Sequence, residues 1–379
     1  MATLVVPRDA EREAVTGAPQ ALQIPSLDGL RAVSFFIVFA AHAGFELIPG
    51  GLGVTIFFFL SGYLITTLMG VEVAKTGGVS LKNFYLRRAL RILPPFYLVL
   101  FGATALRLCG FPREAPPLAL MPVASQILHF SNYWIAWHGW SGVAPGTGVY
   151  WSLAVEEHFY LLFPFVFLAL VARGLSGREK AYVLWGGCAV ILAWRCVLVM
   201  LLGAGGDRTY LCSDTRIDSI AFGCALALWN NPLLGAGSSV RGSVVEAPAA
   251  QRPLSLVALV AGVGLLVVTL ILRNPAFRET FRYSLQGVAL TPIFAAAVRW
   301  PRWFVFRALN WRPVRFIGTL SYVLYLSHQA AIFAVHQNTS LRGLPAALTS
   351  FAIAFAIAWA THHFVERPCA KMRKNLSVV

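Results

Sequence analysis

Charge is scarce in this 379-residue chain. Only 12% of its residues are Asp, Glu, Lys or Arg, against about 25% in an ordinary soluble domain. That scarcity excludes a water-soluble fold and a charge-rich disordered chain. Acidic residues are the rarer sign, with 16 carboxylates facing 31 Lys and Arg for a net charge of +15. Cysteine is sparse too. The six (Cys109, Cys188, Cys196, Cys212, Cys224 and Cys369) show no CxxC spacing, and most sit in apolar runs. They read as small buried hydrophobes, and neither a disulfide frame nor a metal site is expected. A basic excess of this size suggests nucleic acid in a soluble protein, but no nucleic-acid motif accompanies it. No nucleic-acid partner is expected.

Hydrocarbon fills the rest. Hydrophobic residues make up 58% of the chain, and they are gathered rather than scattered. Runs long enough for a bilayer core, roughly 20 residues each, occur near 31–48, 51–70, 92–110, 151–172, 181–202, 215–231, 254–272, 283–299, 314–337 and 343–364. The stretch 119–137 mixes Gln126, His129, Asn132 and Pro122 with Trp and Tyr, a composition suited to an interface. Loop charge decides the parity. With the N-terminus cytoplasmic and 119–137 not spanning, the inner segments hold 22 of the 31 basic residues and all five lysines. Lys and Arg collect on the cytoplasmic side. The expectation is an all-α, polytopic bundle of about ten transmembrane helices with both termini cytoplasmic. Residues 1–24 read as a flexible cytoplasmic leader, 25–370 as the transmembrane domain, 232–253 as a Gly/Ser/Pro/Ala linker within it, and 371–379 as a cytoplasmic tail.

Ionisable groups inside spans are costly and mark function by default. Arg31 and His42 are eleven residues apart, which on a helix puts them about 20° apart around the axis and roughly 16 Å apart along it. Arg31 is expected at the cytoplasmic end and His42 near mid-bilayer; a positive-inside anchor and a packing histidine are the plainer alternatives. Arg87, Arg88 and Arg91 crowd one end of a helix, where guanidinium forks suit phosphate and equally suit lipid head groups. Glu156, Glu157 and His158 enter the outer part of one span, and Asp214, Arg216 and Asp218 lie at another outer boundary. The latter group also reads as a self-compensating ion cluster. His328 ends Ser321-Tyr322-Val323-Leu324-Tyr325-Leu326-Ser327-His328, and a lone membrane histidine commonly joins two helices. His362, His363 and Glu366 read as a structural helix end.

Taken together, several stretches resemble the membrane-bound acyltransferase 3 family. They are Leu27-Asp28-Gly29-Leu30-Arg31-Ala32, His42, residues 53–65, Phe84-Tyr85 with Arg87, Arg88 and Arg91, Trp151-Ser152-Leu153 with Glu156, Phe159 and Tyr160, Ser321–His328, and Glu366-Arg367-Pro368. The resemblance covers about 25–370. Many members have Asp where Thr55 stands here, so a role for that position is open.

The resemblance implies a multi-pass enzyme of the inner (plasma) membrane that acylates a hydroxyl of a surface polysaccharide or lipid-linked sugar, with a macrolide or other small molecule as the alternative acceptor. It implies acyl-CoA, acetyl-CoA by default, as donor substrate, with no bound cofactor, and membrane lipid as the surrounding partner. It places Arg31 and His42 on the catalytic helix and gives Arg87, Arg88 and Arg91 to the acyl-CoA. His42 is expected as general base on the acceptor hydroxyl, with a covalent acyl-His42 as a second route. Glu156 is expected to orient the imidazole or bind the sugar, and Asp214, Arg216 and His328 to line the substrate side. Some members add a further helix and an extracytoplasmic esterase-like domain. This chain is expected to lack both, and either to complete the transfer itself or to pass the acyl group to a separate extracytoplasmic protein. Intramembrane Arg, Glu and His also fit a secondary transporter or flippase, a class often built from inverted repeats that the sequence does not display.

Overall fold

A computed structural model describes residues 25–110, 117–229, 231–232, 234 and 252–376. The expected leader and most of the expected linker lie outside the described residues. Among the described residues there are helices and turns and no strand. In chain order the helices are α1 (Pro25–His42), α2 (Gly50–Thr76), α3 (Leu81–Leu108), α4 (Leu120–Ile127), α5 (Ser131–His138), α6 (Trp151–Ala172), α7 (Gly177–Cys196), α8 (Gly206–Leu211), α9 (Ser213–Trp229), α10 (Arg252–Ile271), α11 (Pro275–Glu279), α12 (Phe281–Arg299), α13 (Arg312–Asn338), α14 (Gly343–Thr361) and α15 (Arg367–Lys374).

The ten long helices fall on the ten apolar runs. Seven are long and apolar enough to cross a membrane; α1, α9 and α12, which carry charge, are not among them. The protein is an all-α, multi-pass membrane bundle. Its outer surface is greasy along whole helix faces, as on α10, where Leu254, Val257, Val260, Val263 and Val267 are exposed at helical spacing, a face suited to lipid rather than water. The ambiguous 119–137 stretch divides into α4 and α5, eight residues each. The break is at His129, which takes a left-handed φ of 56°. At about 1.5 Å per residue neither piece can span.

The first helix departs from expectation in register. It begins at Pro25 and ends at His42, six residues before the run that was read as 31–48. Proline suits the first turn, and Gly44, at φ 94°, takes the left-handed conformation that terminates helices. The apolar residues beyond it, Phe45, Leu47 and Ile48, are exposed. Arg31 therefore lies nearly two turns inside the helix, and His42 stands at its end rather than at its middle.

Small residues set the helix spacing. At Gly62 and Gly223, a Cβ would collide with the carbonyl oxygens of Ile220 and Phe59 respectively, so α2 and α9 cross with their backbones in contact. Close approach of this kind is how apolar helices associate where burial from water offers no driving force. Polar bonds then fix α7, α9 and α12. Arg195 and Asp218 are both fully buried and pair at 2.7 Å. Arg195 also donates to the carbonyl oxygens of Thr280 and Thr215 and to Ser284, whose hydroxyl donates to Asp218 at 2.7 Å. Removing one partner would strand the other charge in the interior. Asp218→Ala is expected to destabilise the bundle by about 3–5 kcal/mol, read as a lower unfolding temperature in detergent. An unchanged temperature would mean that the pair holds nothing together.

Candidate functional site

A cavity of about 450 Å³ opens between α1, α2, α3, α6, α13 and the α14–α15 junction. One end is basic. Arg31, Arg88, Arg91, Arg367 and Arg373 all line it. Arg31 is held by Asp28 at 3.3 Å, and Arg88 lies over the Tyr160 ring at 4.8 Å. His362 and Glu366, paired at 2.7 Å, also line this end, although the sequence read them as structural. Arg367, in the Glu366-Arg367-Pro368 helix end, and Arg373, in the expected tail, were not expected at the site. α15 crosses that boundary at residue 370 and carries Arg373 to the cavity wall.

Arg87 goes elsewhere. Its guanidinium donates to buried Glu72 at 2.6 Å and to the carbonyl of Leu376 at 2.8 Å, and it does not line the cavity. Glu72 also accepts from the backbone of Ser80 at 3.0 Å. The pair thus ties α2 to the start of α3 and leaves Arg88 and Arg91 for the cavity.

The middle of the cavity is a short polar chain. Glu156 lines it and accepts from the Tyr160 hydroxyl at 3.0 Å, and that hydroxyl also bonds Ser61. Glu157, one residue on, is not in the wall. Val54, Phe57, Phe58, Ser152 and Tyr325 also line the cavity. The Ser152 and Tyr325 hydroxyls are 2.7 Å apart.

His42 lies past this end. Neither it nor His328 lines the cavity; Tyr325 stands between, its ring 5.6 Å from that of His328. The two histidines touch. His42 Nδ1 and His328 Nε2 are 3.0 Å apart, and His328 Nδ1 is 2.8 Å from the carbonyl oxygen of Tyr325. A carbonyl only accepts, so His328 Nδ1 carries the proton. In the neutral ring Nε2 is then an acceptor, and His42 Nδ1–H must donate to it. His42 is left with its lone pair on Nε2. His328 is fully buried while His42 is exposed, so the inner ring anchors the outer one. Spacing alone could not reveal this partnership, because it joins residues 286 positions apart.

Asp214 and Arg216 part company. Asp214 accepts from both Nη atoms of Arg208, at 3.0 and 2.5 Å, from Trp194 at 2.7 Å and from Tyr133 at 3.1 Å, and is away from the cavity wall. Arg216 is buried behind Phe58, 5.5 Å from the ring centre. Among the described residues no cluster of His, Cys, Asp and Glu could hold a metal ion.

The cavity thus carries a basic group of arginines, a polar stretch around Glu156 and an aromatic wall, with a histidine pair behind Tyr325. A family model described as an acyltransferase domain matches residues 24–363. The chain belongs to this acyltransferase family. The peptidoglycan O-acetyltransferase OatA of Listeria monocytogenes is 30% identical to the chain over 365 residues, 93% of this chain and 56% of its own. YrhL of Bacillus subtilis, whose name carries the same activity as a provisional assignment, is 30% identical over 91% of this chain and 54% of its own. The chain thus spans about half the length of the curated relatives it matches. No solved structure matches it.

Ser61 sits at the middle of the cavity, so a bulky residue there should block passage without touching either end. Ser61→Trp is expected to lower acyl transfer by about 10² or more, the scale of a misplaced reactive group, in membranes where the variant inserts at wild-type level. Wild-type rates would show that the cavity is not the route.

Proposed function

We propose that this acyltransferase is a plasma-membrane O-acetyltransferase that moves an acetyl group from acetyl-CoA to a hydroxyl of a cell-surface glycan. The glycan class rests on what the relatives are named for. The donor rests on the basic mouth: coenzyme A is a phosphate-rich head on a thin pantetheine arm, and Arg88, Arg91, Arg367 and Arg373 suit the first while the polar interior suits the second. The rise from Arg31 to His42, roughly 16 Å on a helix, suits the length of that arm. Charge distribution supports the basic mouth as the cytoplasmic side, where acetyl-CoA resides.

The observation that carries the chemistry is the contact between His42 and His328. His42 Nε2 takes the proton of the acceptor hydroxyl as its oxygen attacks the thioester carbonyl. The C–S bond breaks, and the thiolate of CoA recovers a proton from His42 Nε2–H. His328 holds the required tautomer, much as a buried carboxylate does for a catalytic histidine. Glu156, bonded to Tyr160, orients the pantetheine or the sugar midway. The thioester must pass Tyr325 to reach His42, which makes rotation of that ring part of the cycle.

His42→Ala is expected to reduce O-acetylation by about 10²–10⁴, measured as CoA thiol released from acetyl-CoA by purified protein given glycan; retention of full activity removes the proposal. His328→Gln keeps an acceptor for His42 and should retain more activity than His328→Leu. Since only neutral His42 accepts a proton, kcat/KM should rise with pH through the His42 ionisation, and His328→Leu should alter that profile as well as the rate. Arg88→Ala and Arg91→Ala should each raise KM for acetyl-CoA by about tenfold, the worth of a charge-assisted hydrogen bond, with kcat nearly unchanged. An unchanged KM in both would place the donor elsewhere.

A further inference from the structure

Arg216 is a buried cation that makes no salt bridge among the described residues. It lies in the first turn of α9, where the helix dipole already makes the potential positive and disfavours a cation. Its side chain is fully buried. Nε and Nη1 have no hydrogen-bond partner, and Nη2 reaches only the Thr55 hydroxyl, at 3.3 Å. The two carboxylates on the same helix turns are taken, Asp214 by Arg208 and Asp218 by Arg195. The rings of Tyr283, Phe58 and Tyr210 face the guanidinium at 3.9, 5.5 and 5.5 Å. Ring faces attract the charge but offer no acceptor to its N–H groups, and a buried ion without a counter-charge is strongly penalised. A second guanidinium, Arg282, lies over the same Tyr283 ring at 4.8 Å, and its buried Nε also lacks a partner.

The place matters as much as the charge. Phe57 and Phe58 both line the cavity. Phe58 backs onto Arg216. Phe57 faces Tyr325 at 5.7 Å, and Tyr325 backs onto the histidine pair. Arg216 and His42–His328 therefore flank the same end of the cavity, each behind one aromatic layer. Of the cage rings, Phe58 and Tyr283 are 1% and 2% exposed, whereas Tyr210 is half-buried and reaches the surface.

We infer that Arg216, with Arg282 beside it, binds an oxyanion carried by the acceptor, a carboxylate or a phosphate ester, and so presents the acceptor hydroxyl to His42. The inference rests on the O-acyltransferase reading above. Thr55 controls the site. Its neutral hydroxyl leaves the guanidinium free, and a carboxylate at that position would saturate it from within.

The test uses the full-length protein in nanodiscs and one oligosaccharide in three forms: with a free carboxylate, with that carboxylate as its methyl ester, and with the ester plus a 1-phosphate. Wild type should bind one or both anionic forms at least about tenfold more tightly than the ester, as a lost charge-assisted contact implies. Whichever anionic form is preferred identifies the source of the oxyanion. Arg216→Gln should abolish the preference. Thr55→Asp should abolish it too while unfolding no earlier than wild type, which separates loss of the site from loss of the fold. Equal binding of all three forms by wild type, or a preference that survives Thr55→Asp, overturns the inference. So does a fall in kcat for Arg216→Gln with the preference intact, which would make Arg216 a stabiliser of the reaction's own oxyanion. Acetyl transfer to the same sugars is followed in parallel. An anion preference without any transfer would sustain the binding site and remove the enzymatic reading beneath it.

Discussion

Helix α1 has its place because glycine clears the surfaces it leans on. A Cβ on Gly318 of α13 would strike the carbonyl of Asp28, one on Gly53 of α2 would strike that of Ser34, and Gly29 of α1 meets the carbonyl of Leu309 in the same way. In lipid, where packing rather than water drives association, such contacts hold three backbones closer than ordinary side chains permit. The consequence is local and chemical. With α13 this near, His328 reaches His42 across the gap, and Arg31, about three turns earlier on α1, opens on the cavity that α13 helps to wall. A bulkier residue at Gly318 would push the two histidines apart without altering either of them.

Carboxylates are few, and several within the bundle are committed to structure. Glu72 holds Arg87, Asp218 holds Arg195, and Asp214 holds Arg208. That commitment leaves Arg88, Arg91 and Arg216 without a salt bridge among the described residues. Two of these line the basic end of the cavity and the third lies behind its aromatic wall. The proposal assigns the first to the donor's phosphates and the last to the acceptor. The same arithmetic makes Glu156 distinctive. It is bonded only to a tyrosine hydroxyl, within a cavity whose charged wall is otherwise mostly basic.

Much of this was legible in the sequence, because hydrophobic runs and their flanking charges follow directly from the cost of placing polar groups in hydrocarbon. All ten long helices were readable from those runs, as was the family. The register of α1 was not, because apolar residues continue past Gly44 and hydropathy cannot see a helix stop. Arg87 could not be told from Arg88 and Arg91, since its diversion depends on Glu72 fifteen residues away on another helix. Arg367 read as part of a structural helix end and Arg373 as a charged tail, because nothing local shows that α15 folds back on α3. The pairing of His42 with His328 and the orphaned state of Arg216 are long-range facts that no local pattern encodes. Both depend on how closely the helices approach.

The central claim is a path: donor phosphates at the arginines of α3 and α15, thioester at His42. A structure of the protein with acetyl-CoA bound tests it most directly. The account predicts the phosphates against Arg88, Arg91 and Arg367, the Tyr325 ring displaced, and the thioester carbon within about 3.5 Å of where a hydroxyl hydrogen-bonded to His42 Nε2 would sit. Coenzyme A entering from the His42 end, or lying along the cavity with its sulfur at the arginines, would contradict it.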